Sequence, residues 1–448
     1  LAVSPIKTGQ PLGAILASLG LAQAIPLVHG AQGCSAFAKV FFIQHFHDPV
    51  PLQSTAMDPT ATIMGADGNI FTALDTLCQR HSPQAIVLLS TGLAEAQGSD
   101  IARVVRQFRE AHPRHNGVAI LTVNTPDFFG SMENGYSAVI ESVIEQWVAP
   151  TPRPGQRPRR VNLLVSHLCS PGDIEWLGRC VEAFGLQPVI LPDLSQSMDG
   201  HLGEGDFTPL TQGGASLAQM GQSLGSFAIG VSLQRAASLL TQRSRGDVIA
   251  LPHLMTLDHC DTFIHQLAKM SGRRVPAWIE RQRGQLQDAM IDCHMWLQGQ
   301  RMAMAAEGDL LAAWCDFARS QGMQPGPLVA PTSHPSLRQL PVEQVVPGDL
   351  EDLQQLLSHQ PADLLVANSH ARDLAEQFAL PLIRVGFPLF DRLGEFRRVR
   401  QGYAGMRDTL FELANLLRDR HHHTALYHSP LRQGAAPQPA SGDAYAAH

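Results

Sequence analysis

The chain has seven cysteines in 448 residues, and no two of them stand at Cys-x-x-Cys spacing. Cys34, Cys78, Cys169, Cys180, Cys260, Cys293 and Cys315 are scattered and odd in number. This excludes a disulfide framework and paired-cysteine zinc sites, and it points to a reducing, cytoplasmic setting. No apolar run approaches the ~20 residues of a transmembrane helix, so no membrane span is expected. No GxGxxG follows a strand-like run and no GxxxxGKS/T occurs, so a bound nucleotide is not supported. HExxH is missing as well. Positive charge is in short supply. Thirty-three Lys and Arg against 40 Asp and Glu leave a formal charge of −7, whereas nucleic-acid binding needs clustered cations. The one basic cluster, Arg153 to Arg160, is Pro-rich and reads as a linker. No internal repeat of fixed period is present.

What is present is ordinary globular material, 44% hydrophobic and 16% charged, long enough for about three domains. Lys7 followed by the apolar stretch Leu12 to Leu21 mimics a secretion signal. It runs without a break into Ile25 to Gly30, however, which reads as an ordered turn. Ala85 to Leu89 and Val118 to Val123 read as buried strands. Ile101, Val104, Val105 and Phe108 share one helical face, and Tyr136 to Trp147 carries another such stripe. This alternation is the pattern of a parallel α/β layer.

Four prolines within Ala149 to Pro158 break the pattern and mark a domain boundary. Beyond it, Val161 to Val165 is a strand, Ile174 to Phe184 a helix and Pro188 to Leu191 a strand. Gly203 to Gly225 reads as a Gly-rich loop leading into a helix. Val248 to Leu251 is a strand, Thr262 to Met270 a helix, and Ala277 to Leu297 one long helix. The last third gives strands at Met302 to Ala305, Pro327 to Ala330, Leu364 to Ala367 and Leu382 to Val385. Its helices are Leu310 to Ser320, Leu350 to Leu357 and Tyr403 to Leu417. The expected division is 1–150, 151–275 and 276–420, three α/β domains, with 421–448 a disordered tail. His421, His422 and His423 belong to that solvated tail. In open sheets of this kind, sites lie beyond the carboxyl ends of strands and in clefts between domains.

Most candidate motifs have a plain reading. Thr211 to Ser216 could place backbone amides around an anion, but a loop explains it. His253, His259, Cys260 and His265 lack metal-ligand spacing. Cys293 and His294 sit beside Met295 and Trp296 on the long helix and read as packing. Cys34 is different. It follows Gly30 and Gly33, which let the backbone turn sharply, and Phe37 to Phe42 then reads as the first turns of a helix. A helix N-terminus favours a thiolate over a thiol, as soft-metal or iron–sulfur ligation requires. A buried structural cysteine is the competing reading.

The run His29-Gly30-Ala31-Gln32-Gly33-Cys34, followed by His45-Phe46-His47-Asp48-Pro49-Val50, resembles the nitrogenase component 1 superfamily, and its β-type subunits most of all. Further similar segments are Ser90 to Glu95, Asn124 to Ser131, Arg281 to Gly299, Ala367 to His370 and Arg384 to Arg392. The resemblance spans residues 28 to about 405 in the family's order and implies Rossmann-like domains with mainly parallel sheets flanked by helices. The departures are informative. The catalytic β subunit gives three cysteines to an eight-iron cluster. The first matches Cys34, but the second falls at Leu52 and the third at Gly92. Asp127 stands where that subunit has a serine able to ligate the oxidised cluster, and an aspartate oxygen could ligate there too.

One thiolate cannot hold such a cluster. A [4Fe–4S] cluster takes four thiolates, one from Cys34 and three from an α-type partner subunit. The resemblance therefore implies a cofactor-assembly scaffold, an α2β2 heterotetramer with no catalytic side chain in this chain. The iron–molybdenum cofactor precursor is expected in the partner. The nitrogenase iron protein is expected as a transient partner and the MoFe apoprotein as acceptor, with neither nucleic acid nor membrane involved. The alternative is a β-type subunit of a nitrogenase or of a protochlorophyllide- or chlorophyllide-reductase-like enzyme.

Overall fold

Short, wholly apolar runs become parallel strands buried on both faces. The computed structural model describes residues 6–151, 158–197, 217–333, 337–338, 340 and 345–421, and elements are numbered within these. The first sheet contains β1 (Ala24–Val28), β2 (Gln53–Ser54), β3 (Ala85–Leu89) and β4 (Ala119–Val123), in the order β2-β1-β3-β4. The second contains β5 (Arg160–Val165), β6 (Gln187–Leu191), β7 (Gly225–Ile229) and β8 (Val248–Leu251), in the order β6-β5-β7-β8. The third contains β9 (Arg301–Ala305), β10 (Gln324–Ala330), β11 (Val346–Pro347), β12 (Leu364–Ala367) and β13 (Leu382–Arg384), in the order β11-β10-β9-β12-β13. Every ladder in the three sheets is parallel. The α/β class expected from the sequence is the one observed.

In the first unit the helices are α1 (Gln10–Leu19), α2 (Gln32–Phe46), α3 (Pro59–Met64), α4 (Asp67–His81), α5 (Gly92–Gln97), α6 (Ile101–Ala111) and α7 (Met132–Trp147). The second sheet is flanked by α8 (Pro171–Ala183), α9 (Gln234–Ser244) and α10 (Leu257–Ser271). The long α11 (Ala277–Leu297) leads to α12 (Gly308–Ser320), α13 (Leu350–His359), α14 (Arg372–Gln377) and the closing α15 (Gly402–His421). Among the described residues no helix is long and apolar enough to cross a membrane.

Several expectations need correction. The apolar stretch that mimics a signal is α1, a helix buried nearly all round and laid against α7. The two helices touch backbone to backbone, because a Cβ at Gly13 would overlap the Met132 carbonyl and one at Gly135 the Gln10 carbonyl. Ile25 to Gly30 is not a turn throughout. Its first residues lie in β1, an interior strand that tolerates Pro26 for a local reason. The His29 N–H donates to the Leu89 carbonyl, and the Val28 carbonyl accepts from Thr55. Odd-numbered positions therefore face β3 and even ones face β2. Pro26, which has no N–H, faces the β2 side, where that two-residue strand pairs only with Leu27 and Val28. Residues 152–157 of the Pro-rich break, 203–216 of the Gly-rich segment (with Thr211 to Ser216) and the tail from 422 on lie outside the described residues. The described end of the Gly-rich segment is helical at 217–218 and carries a 3-10 turn, Met220–Gln222, before β7 begins.

The three units meet at buried carboxylates. Asp309, in the first turn of α12, accepts from the Ser232 N–H at 3.1 Å and from the Ser232 hydroxyl at 2.6 Å, just beyond β7. The Asp309 N–H donates to Glu133 Oε1 of α7 at 2.9 Å. Beside them the Ser131 hydroxyl donates to Glu307 Oε2 at 2.5 Å. Burial, then the charges of Asp309 and Glu307, holds the Glu133 carboxyl well above the usual carboxylate range. Burial likewise pushes Glu307 up to about 7, although its bond to Ser131 pulls the other way.

A raised carboxylate pKa means that the folded chain holds the proton more tightly than the unfolded one. Its contribution is therefore fully present below the ordinary pKa of 4.5 and is lost as pH rises towards about 7. Glu307→Gln keeps an acceptor for Ser131 and removes this decline. Compared by denaturant unfolding at pH 5 and pH 8, the variant should gain on the wild type at pH 8 by at most about 3 kcal/mol.

Candidate metal centre at the carboxyl edge of the first sheet

The turn after β1 is clamped before α2 begins. The Thr91 hydroxyl donates to the His29 carbonyl at 2.9 Å, and a Cβ at Gly30 would come within 2.9 Å of Thr91. Glycine is thus required at position 30 by close approach. The Gly30 carbonyl accepts from the Met57 N–H at 2.9 Å, and His29 Nδ1 lies 2.9 Å from the Thr55 hydroxyl. Burial drives the His29 pKa down to about 4, so the imidazole is neutral at physiological pH. Gly33 has no comparable constraint, since a Cβ there would meet nothing within 4 Å.

Helix α2 starts at Gln32, earlier than the expected Phe37. Cys34 therefore lies inside the first turn, its N–H bonded to the Ala31 carbonyl at 3.1 Å. At the other end Nδ1 of the buried His45 accepts from the Leu389 N–H at 2.9 Å, which ties α2 to the third unit. The late segment carrying Leu389 is itself braced. Arg384 pairs with Asp391 at 2.6 Å, Ser369 donates to Asp391 at 2.5 Å, and the Asn368 amide donates to the Phe387 carbonyl at 3.0 Å.

Cys34 is the exposed cysteine, and the other six are buried. Burial pushes the thiols of Cys78, Cys169, Cys180, Cys260 and Cys293 above their ordinary value and that of Cys315 up to about 12. Phe37, Val40 and Ile43 follow Cys34 at three-residue spacing, a row that winds around α2, and their side chains are 72%, 54% and 47% exposed. The opposite face of α2, with Ala38, Phe42 and Phe46, is buried. Phe128 and Phe129, after β4, are exposed as well.

The other expected cluster positions behave differently. Leu52 is fully buried core. Gly92 opens α5 behind the N-cap Thr91, and its N–H bonds to the Asp127 carboxylate. A Cβ at Gly92 would lie 3.4 Å from Asp127 Cβ, so positions 92 and 127 are neighbours. Among the described residues, no group of three or more His, Cys, Asp or Glu side chains could hold a metal ion. The donor set at this edge is one accessible thiol and the exposed carboxylate of Asp127, which already accepts from the Gly92 N–H, and it suits one corner of a cluster completed from across an interface. It does not suit a cluster held by this chain alone.

Of the remaining candidates His253, Cys260 and Cys293 are core, His259 is half-buried, and His265, His294 and Met295 are exposed, so packing describes Cys293 but not the two residues after it. His253 Nδ1 accepts from the Met255 N–H at 3.2 Å, which leaves Nε2–H to donate to Asp316 at 3.1 Å. Cys260 donates to the Leu254 carbonyl at 3.4 Å. One motif escaped the sequence reading: Gly221-Gln222-Ser223-Leu224-Gly225 has the GxSxG spacing. Ser223 is buried, donates to Asn162 Oδ1 at 2.8 Å and precedes a strand, so it is no exposed strand-to-helix nucleophile.

The sequence and the three-sheet fold match a known group. The sequence pattern of the family described as "Nitrogenase component 1 type Oxidoreductase" covers residues 9–418, and the chain belongs to that family. Within it the chain groups with proteins called nitrogenase iron-molybdenum cofactor biosynthesis protein NifN. It is 84% identical to the one from Klebsiella pneumoniae over 100% of this chain and 98% of that protein. It is 40% identical to the one from Nostoc sp., over 93% and 94%. A solved structure titled "Nitrogenase Cp1 at pH 6.5" superposes with a TM-score of 0.88 at 27% identity, covering 95% of each chain.

Accessibility makes a direct test. A short pulse of iodoacetamide on the native, metal-free chain, read by peptide mass spectrometry, should alkylate Cys34, with the other six cysteines reacting only after denaturation.

Proposed function

We propose that this chain is the β-type subunit of a scaffold on which the nitrogenase iron–molybdenum cofactor is matured. The activity in its relatives' name, cofactor biosynthesis, is carried over with that role. In this reading Cys34 supplies one thiolate to a [4Fe–4S] cluster, and a NifE-like α-type subunit supplies the other three. Two such pairs form an α2β2 heterotetramer. The cofactor precursor is cargo of the partner subunit. The iron protein docks transiently, and the MoFe apoprotein receives the finished cofactor.

The observation that carries the reading is the isolation of Cys34. It is a lone accessible thiol one turn from the exposed Phe37, with a buried leucine and a glycine where two more donors would be needed. An exposed row of Phe37, Val40 and Ile43 is the kind of surface that an interface covers. Covering it would also exclude water from the thiol. A bound cluster would supply one-electron transfer there. This chain's part is to hold one corner through Cys34, to fix that corner through the Gly30–Thr91 contact, and to shape the interface.

The test is Cys34→Ala in the co-purified complex. The expected result is a loss of about four irons per heterodimer, together with the cluster's EPR signal and brown absorption, while the complex stays assembled. Unchanged iron and EPR would remove Cys34 from the metal site. Rapid dinitrogen or tetrapyrrole reduction by the wild-type complex would assign it to a reductase instead.

A further inference from the structure

Where the three units converge there is a cavity lined by Leu16 of α1, Phe46 of α2, Met255, Leu310, Trp314 and Gln401 among others. The centre of a water-sized sphere can move through about 80 Å³ of it. Two buried donors belong to its wall. Trp314 is 0% exposed and Gln401 1%, and neither Trp314 Nε1 nor Gln401 Nε2 has a hydrogen-bond partner among the described residues. The Gln401 amide cannot simply be turned over, because its Oε1 already accepts from the Leu254 N–H at 2.6 Å. Its NH₂ group is therefore the end left without a partner.

The wall does not satisfy these donors itself. Its two carboxylates are already committed: Asp173 accepts from the N–H groups of Arg400 at 2.7 Å, Gln401 at 2.8 Å and Ser170 at 2.9 Å, and Glu395 pairs with Arg400 at 2.9 Å and Arg398 at 3.5 Å. The Arg400 guanidinium stands 5.7 Å from the Trp314 ring centroid, so positive charge lies close to the indole. Much of the remaining lining is apolar, with Leu310, Met255 and Phe387 as examples. Buried N–H groups left without an acceptor are costly, and an oxygen-bearing ligand meets that need. At about 10–15 Å³ per water-sized centre, the space suits roughly five heavy atoms.

We propose that this interdomain cavity binds a short aliphatic carboxylate, its oxygens accepting from Trp314 Nε1 and Gln401 Nε2 and its hydrocarbon lying against Leu310, Met255 and Phe387. The site is separate from the Cys34 edge and stands independently of the proposed cluster.

Sodium propionate, which has five heavy atoms, is the probe. Titrated calorimetrically into the full-length chain in its purified complex, it should bind saturably at one site per chain. Trp314→Phe and Gln401→Leu should each weaken binding about tenfold, the usual effect of losing one hydrogen bond to a charged group. Propionamide, which keeps an acceptor but lacks the charge, should bind at least about tenfold more weakly. Absence of saturable binding, unchanged affinity in both variants, or equal affinity for propionamide would each overturn the proposal. If a variant fails to fold, a high-resolution structure of the wild type with propionate decides. Density for a carboxylate on Trp314 and Gln401 supports the proposal, and water alone there ends it.

Discussion

The Asp309 carboxylate is the contact on which the arrangement of the three units turns. It sits at the start of a helix of the third unit, takes both donors of Ser232 from the second, and its own N–H reaches Glu133 of the first. Carboxylates this deeply buried are tolerated only with donors on every side. Ser232 of the second unit supplies both donors to Asp309, and the Asp309 N–H is the donor to Glu133, so the contact joins residues from all three units. The large apolar core, which runs through all three units, then fills the space around that polar centre.

Helix α2 is held firmly by that frame. Its inner face packs on Phe387 and Phe396 from the third unit, with Phe42 and Phe387 ring centroids 5.3 Å apart. Its two ends are fixed by unrelated contacts, Thr91 against Gly30 at the start and Leu389 on His45 at the finish. An exposed cysteine on a loosely held loop would be a poor ligand. One on a helix pinned at both ends is preorganised, which is what a metal site shared between two chains demands.

Much of this was legible in the sequence, for identifiable reasons. Ala85 to Leu89 and Leu364 to Ala367 are unbroken apolar runs of strand length, the signature of parallel strands covered on both faces. Helix α6 alternates buried and exposed residues at the helical period, so its face could be read directly. Helices α1 and α2 violate that pattern in opposite ways. The first is buried nearly all round and looks like a signal segment. The second has apolar residues on its outer face as well as its inner one, which hid its true start. Strand β1 carries a proline that only the shortness of β2 makes harmless. Helix α4, by contrast, placed Ile70, Leu74, Leu77 and Cys78 at regular spacing and was simply passed over. Cys34 could be singled out because its sequence neighbours are distinctive. The Glu133–Asp309 contact could not, since it joins residues 176 positions apart, and the pairing of Trp314 with Gln401 around one cavity is equally invisible in one dimension.

The position of His45 gives α2 a second meaning. Eleven residues separate it from Cys34 on one unbroken helix, a rod of about 16 Å at 1.5 Å per residue. The far end of that rod, His45 and Phe46, forms part of the wall of the interdomain cavity. The cavity wall and the exposed Cys34 thiol are therefore joined by a stiff strut, not a flexible tether. A shift of the third unit that moved Leu389 would pull on the same helix that carries Cys34.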